Sequence, residues 1–291
     1  MTSASASTLA PLPARFARLV KIEHTVFALP FAYVGAFLAV DGVPSAHDLL
    51  WITVAMVGAR SLAMALNRLV DAGIDARNPR TAGRELPSGQ LSVPQVALFC
   101  VVSLAVFLVA VFQLASKTHW LWPIPVVGFV VYPYLKRWTW LCHFWLGAVD
   151  GLAPVGAWVA ITNQIPWEAW LLGAAVAFWV AGFDCFYALF DVDVDRAQGL
   201  HSIATRFGVR GAFAAARISH VAAVGCLVGA GLGLPVGVLY WLGVATVAGL
   251  LAYEHSLVRP NDLRRLDAAF FTMNGVISVA FAAFVIADAV I

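Results

Sequence analysis

Apolar runs of helical length recur from one end of the chain to the other, and nothing else in the sequence constrains the fold as much. A hydrocarbon core about 30 Å thick is crossed by about 20 apolar residues in a helix, whereas a membrane barrel would show short alternating segments. Nine such runs are expected, at residues 24–40, 49–69, 93–115, 119–135, 140–161, 167–190, 211–231, 235–254 and 268–288. With 62% hydrophobic and 12% charged residues and a mean hydropathy of +0.85, the chain has too little polar surface to cover a soluble globule. The expected class is an all-α integral membrane protein of about nine transmembrane helices, one domain over residues 1–291. Pro123, Pro125 and Pro133 fall in the fourth run, which is therefore expected to be kinked.

Basic residues alternate between loops. Arg15, Arg18 and Lys21 precede the first run; Arg68, Arg77, Arg80 and Arg84 follow the second, and Lys136 and Arg137 the fourth. Arg196, Arg206 and Arg210 follow the sixth, and Arg259, Arg264 and Arg265 the eighth, while the opposite loops carry only Lys117. Positive charge marks the cytoplasmic side, so a bacterial-type inner membrane is expected, with the N-terminus inside and the C-terminus outside. Residues 1–20 are expected as a frayed cytoplasmic tail, without a cleaved leader. A net charge of +2 spread over one face gives no stripe for nucleic acid. Cys100, Cys142, Cys185 and Cys226 fall in separate apolar runs without metal-ligand spacing and read as packing thiols.

The stretch "NRLVDAGIDARNPRTAGRELPSG" breaks the apolar monotony. Asn67, Asp71 and Asp75 recur every four residues and share a helix face, drifting about 40° per step. A solvated helix end has the same spacing, but a second stretch repeats it: in "FDCFYALFDVDVDRAQGLHSIATRFG" Asp191 and Asp195 are four apart, with Tyr187 and Asp184 one and two turns earlier and Asp193 expected to point away. Both pairs follow even-numbered runs, so both lie on the cytoplasmic side and can face each other.

Asp71, Asp75, Asp191 and Asp195, converging on one membrane face, would repel unless cations sit between them. Magnesium fits, because it takes hard oxygen ligands, one or two carboxylates per ion, and completes its shell with water and phosphate oxygens. Two ions between two acidic pairs would hold a diphosphate. A charged head at the cytosolic face of a bundle of apolar helices implies a greasy tail, as in a polyprenyl diphosphate. Metal neutralises the charge that develops on the departing diphosphate, and aromatic faces, Tyr187 among them, would steady an allylic cation. The Gly-, Pro-, Ser- and Thr-containing stretches within residues 71–92 and 191–210 are expected as loops that cap the site.

These residues resemble the UbiA superfamily of intramembrane aromatic prenyltransferases, with an N-D-x-x-D-x-x-x-D motif after the second helix and a D-x-x-x-D motif after the sixth. Here the motifs read "NRLVDAGID" and "DVDVD", and "RTAGRELPSGQLS", "YPYLKRWTW" and "HSIATRFG" extend the likeness. It implies nine helices around a central cavity and magnesium diphosphate held by Asn67, Asp71, Asp75, Asp191 and Asp195. Lys136 and Arg137 match a basic pair that grips the diphosphate or the acceptor's carboxylate, although positive-inside topology alone would also place them there. Arg77, Arg80 and Arg84 are weaker candidates in the cap. Arg68 departs from the motif, standing where many members carry Asp, and either removes a carboxylate or adds a phosphate contact. The acceptor implied is an aromatic acid, 4-hydroxybenzoate for ubiquinone or a dihydroxynaphthoate for menaquinone; "KIEHTVFALPFAYVGAF" and "LDAAFFTMNGVISV" look like the futalosine-pathway branch. Glu23, His24 and Asn274 are polar residues at or within runs, placed to recognise a ring hydroxyl or carboxylate.

Two rivals remain. A CDP-alcohol phosphotransferase needs a single D-G-x-x-A-R cluster, which "DAGIDAR" does not match. A cation- or proton-coupled transporter needs acids near the bilayer midplane on broken helices, whereas these gather at one face. The offset between Asp71 and Asp191 suggests two four-helix halves with a ninth helix added.

Overall fold

The computed structural model describes residues 10–21, 25–263, 266 and 272–291. The helices are α1 (Leu12–Leu19), α2 (Thr25–Val40), α3 (Ala46–Asp75), α4 (Val93–Val111), α5 (Thr118–Leu121), α6 (Pro123–Leu135), α7 (Cys142–Thr162), α8 (Trp167–Tyr187), α9 (Val192–Ala197), α10 (Ile203–Gly233), α11 (Val238–Leu257) and α12 (Asn274–Val290). Among the described residues there is no strand beyond an isolated Arg259–Asp262 bridge, so the all-α class holds.

Among the described residues, five helices are long and apolar enough to cross a membrane by themselves: α3, α4, α7, α10, and α8 with the 3-10 turn that continues it to Phe190. Shorter apolar helices over Ala28–Val40 and Asn274–Val290 accompany them. Length alone thus supports fewer spans than the nine expected. The fourth expected run is split between α5 and α6, because Pro123 lacks the N–H that would continue the α5 ladder.

Two boundaries differ in ways that matter for the site. Helix α3 runs six residues past its expected end, to Asp75, so the first acidic pair is helical and the connecting segment begins at Ala76. The Ala76 N–H still bonds the Ala72 carbonyl, and both aspartates have basic partners, so nothing forces the helix to end earlier. Residues 191–210, expected as a loop, contain α9 and the first turns of α10. A capping box of Ser202 and Thr205 starts α10 early, and Gly208, at φ 71°, bends it.

Helix α8 is the hub. It packs against α7 on one side and α10 on the other, with Phe31, Trp179, Phe183, Tyr240 and Phe281 in the core they share with α2, α11 and α12. The α7–α8 crossing is close because both surfaces are small. A Cβ on Gly147 would lie 2.1 Å from the Ala177 carbonyl oxygen, and one on Gly151 2.4 Å from that of Gly173, the backbone proximity that small residues four apart permit in membranes. Part of the expected tail is ordered as α1. Phe16 stacks on Phe99 with ring centroids 4.8 Å apart, and Arg15 donates to the Gln90 carbonyl at 2.9 Å.

Candidate active site

Both acidic pairs open onto one cavity of about 270 Å³ between the ends of α3, α6, α7 and α8. Asn67, Arg68, Asp71, Asp75, Lys136, Asp184, Tyr187, Asp191 and Asp195 all line it. Helical period places the first group on one face of α3. The second group follows a different path, because α8 ends at Tyr187 and a 3-10 turn carries the chain to Asp191, whose backbone (φ −118°, ψ 7°) is neither helical nor extended. Asp193 is exposed and not part of the wall.

Basic side chains hold most of the carboxylates. Asp71 accepts from Lys136 Nζ at 2.6 Å and from Asn67 Nδ2 at 3.1 Å. Asp75 receives Arg84 Nη1 on both oxygens at 2.7 Å, and Arg68 Nη1 lies 4.0 Å away. Arg80 clasps Asp191 through Nε (2.8 Å) and Nη2, and donates through Nη1 to the Tyr187 hydroxyl at 2.9 Å. Asn78 adds 2.9 Å to Asp191 Oδ1. Burial alone would push the Asp191 carboxyl up, but the bonds from Arg80 and Asn78 outweigh it and hold it below the ordinary range. The same contacts raise the Arg80 guanidinium against the pull of burial.

Asp195 contrasts with these. It has no basic partner within 4.0 Å among the described residues, and burial, then the charge of Asp191, push its carboxyl up to about 6.

Two expected roles shift. Arg137 is not among the lining residues; its Nη2 donates to the Val70 carbonyl at 2.8 Å and to Asp71 Oδ1 at 3.3 Å, so it braces Asp71. The face of Tyr187 carries the Arg80 guanidinium, 5.1 Å from the ring centroid, and the other aromatic walls are Phe129, Tyr132, Trp179 and Phe183. Arg77 turns outward to Gln198. Asn274 is fully buried at the start of α12, away from the cavity, and Glu23 and His24 lie outside the described residues. Burial of Cys100, Cys142 and Cys185 agrees with packing thiols.

Sequence reasoning passed over Arg60, His143 and Asp150, which also line the cavity. Arg60 Nη1 is 3.7 Å from Asp150 Oδ1, and its buried Nε has no hydrogen-bond partner. The signal was legible, because an ionisable group inside an apolar run marks a functional position by default, and "ARSLAM" and "GAVDG" each carry one. Beyond Arg60 and Asp150 lies a second, mostly apolar cavity of about 260 Å³, walled by residues such as Met56, Phe107, Leu114 and Leu152.

Among the described residues no three His, Cys, Asp or Glu side chains are grouped closely enough to hold a metal by themselves. The donors are nevertheless hard oxygens in two pairs across one cavity, and Asp195 lacks a neutralising partner. That set fits a divalent ion which takes one or two carboxylates and draws its other ligands from phosphate and water.

The UbiA prenyltransferase family matches residues 28–276. A 4-hydroxybenzoate octaprenyltransferase of Cupriavidus necator is 32% identical over 278 residues, 94% of this chain and 97% of its own. One of Aliivibrio fischeri is 33% identical over 254 residues, 86% of this chain and 88% of its own. The apo structure of a UbiA homolog from Aeropyrum pernix K1 superposes with a TM-score of 0.83 at 33% identity, covering 92% of this chain and 98% of that one. A UbiA homolog from Archaeoglobus fulgidus bound to GPP and Mg2+ shares the fold, with a TM-score of 0.76 at 19% identity over 94% of this chain and 99% of that one.

Proposed function

This chain belongs to the UbiA prenyltransferase family, and from that premise we propose that it transfers a polyprenyl group from polyprenyl diphosphate to a ring carbon of 4-hydroxybenzoate in respiratory quinone biosynthesis. The observation that carries the reading is the single cavity in which two aspartate pairs face each other, continued by an apolar cavity. The head cavity suits a diphosphate and the apolar one a prenyl chain. The curated relatives bear the name of that activity.

Magnesium, when bound, neutralises the charge that develops on the leaving diphosphate. Asp71, Asp75, Asp191 and Asp195 would hold it. Lys136, Arg80, Arg84 and Arg68 would then turn from carboxylate to phosphate oxygens, a short movement for groups already at the cavity wall. Arg fits phosphate with a planar fork and Lys as a compact charge. Arg60, half-buried with a buried, unpartnered Nε, would receive the acceptor's carboxylate. Trp179, Phe183 and Phe129 offer apolar walls that exclude water from the allylic carbon. The orientation that goes with this reading is the cytoplasmic one, with the acidic pairs and their bases inside and the chain in a bacterial-type inner membrane.

A dihydroxynaphthoate acceptor is the second reading, favoured by the first and last apolar runs, which look like the futalosine-pathway branch. The test is prenyl transfer in membranes with labelled polyprenyl diphosphate, with magnesium or excess chelator, offering 4-hydroxybenzoate and 1,4-dihydroxy-6-naphthoate side by side. Magnesium-dependent product with 4-hydroxybenzoate is expected. Product with the naphthoate alone moves the chain to menaquinone synthesis; product with neither discards both acceptors.

A further inference from the structure

Alkylation of an aromatic ring leaves a proton on the carbon that has been attacked, and a site closed to water must supply a base for it. Resting on the function proposed above, we infer that Asp184 is that base and that His143 is the residue that positions it.

His143 is the second residue of α7 and Asp184 lies one turn before the end of α8; both line the head cavity. His143 Nδ1 is 2.7 Å from Asp184 Oδ2. On the other side of the ring, His143 Nε2 lies 3.2 Å from the backbone N–H of Ile203. A backbone N–H can only donate, so Nε2 is the acceptor and the ring proton sits on Nδ1, where it is given to Asp184. The imidazole is 4% exposed and locked from both ends. It fixes the carboxylate's direction.

That separates Asp184 from its neighbours. Asp71, Asp75 and Asp191 each face a lysine or arginine within 4.0 Å, and Asp150 faces Arg60, whereas Asp184 meets the His143 ring and, among the described residues, no lysine or arginine within 4.0 Å. A carboxylate whose two oxygens are taken up by a guanidinium or a metal has none free to accept a proton; one held by an imidazole through a single oxygen keeps the other open. Asp184 Oδ1 receives no hydrogen bond among the described residues, and the side chain is partly open to the cavity wall it shares with Tyr132 and Asp150.

The step balances within the site. The ring carbon beside the phenolic oxygen provides the electron pair of the new carbon–carbon bond, and the allylic C–O bond breaks with its pair going to diphosphate. The proton on that ring carbon moves to Asp184 Oδ1, and the C–H pair restores aromaticity. Asp184 gives the proton to water when the products leave, and His143 keeps its Nδ1 proton throughout. Because Ile203 opens α10 just after the second acidic pair, the same hydrogen bond ties the base to the segment that carries Asp191 and Asp195.

The test uses the purified full chain in lipid nanodiscs with magnesium, polyprenyl diphosphate and 4-hydroxybenzoate carrying either hydrogen or deuterium at the two positions beside the hydroxyl. Asp184→Asn is expected to lower kcat on the order of 10²-fold, the range for a positioned base, leave KM for the diphosphate unchanged, and bring out a primary isotope effect larger than that of the wild type. His143→Gln should give a smaller loss with an increased isotope effect, which a purely structural defect would not produce. Retained magnesium-dependent binding of the diphosphate by both variants establishes that they fold. If Asp184→Asn binds diphosphate but shows kcat within about 3-fold of wild type, or loses rate with no rise in isotope effect, another group such as the departing diphosphate takes the proton and the assignment falls. Product from neither aromatic acid with the wild type overturns the function reading instead, and this assignment with it.

Discussion

At the residue scale, the carboxylates of this site differ by what neutralises them, and that difference can be measured. Asp195 has its carboxyl raised from 3.8 to about 6, so near pH 5 the folded chain holds a proton that the unfolded chain has largely lost. Stability from this group therefore falls as pH rises through 6. Asp195→Asn is expected to raise the melting temperature of the metal-free protein in detergent most at pH 7.5, less at pH 5, and little below pH 4. Equal shifts at pH 7.5 and below pH 4 would show that burial and Asp191 do not disfavour its charge. Asp191 behaves oppositely: held below 3.8, it stabilises above that value, and the contribution is lost as pH falls through the folded one. Arg80→Ala removes both its bond to Asp191 and the phosphate ligand proposed for it. It should weaken diphosphate binding about tenfold, the worth of one charge-assisted hydrogen bond; an unchanged Kd by calorimetry would take Arg80 out of the site. Asp71→Ala and Asp191→Ala should each abolish turnover in a chain that still folds, and normal activity in either purified variant would remove the aspartates from the chemistry.

At the element scale, the α7–α8 crossing sets the distance between His143 and Asp184. Gly147 and Gly151 on α7 meet Ala177 and Gly173 on α8 with no room for a further carbon, so Gly151→Leu should force the helices apart. The expected outcome is a lower melting temperature together with lost activity, checked by thermal unfolding and by prenyl transfer on the same preparation; a variant with unchanged stability would mean that the crossing is not tight. The elements also show how far local pattern carries. The four-residue spacing of Asn67, Asp71 and Asp75 on α3 was readable because a helix face is a matter of period. The end of α3 was not, since it depends on Arg84 and Lys136 arriving from other segments to satisfy the two aspartates. Likewise the capping signature at Ser202 and Thr205 is visible in "HSIATRFG", yet its consequence, an Ile203 N–H directed at His143, required the placement of α7.

At the scale of the whole molecule, the bases and acids of the site come from helix ends and from the alternate loops that carry positive charge. Arg80 reaches Asp191 across 111 residues and Lys136 reaches Asp71 across 65, so the loops after α3, α6 and α8 meet at one end of the bundle. We propose that this end is cytoplasmic. Single cysteines placed at Ser88 and Gln164, in a background whose native cysteines are replaced by alanine, should be labelled by a membrane-impermeant maleimide from opposite sides, with Gln164 outside. Labelling of both from one side would overturn the orientation. The first acidic group ends α3 and the second follows α8, and we hold the two four-helix halves as a proposal that rests on spacing.

The sequence by itself determined the membrane-spanning helical class, the two aspartate groups and the family motif, because hydropathy, helical period and short motifs are properties of neighbouring residues. The tertiary structure alone decided which base sits on which carboxylate, that Arg137 bonds Asp71 without joining the cavity lining, and that Arg60, His143 and Asp150 join the wall. These depend on how helices cross, and a crossing is set by side chains from segments tens of residues apart meeting at van der Waals distance.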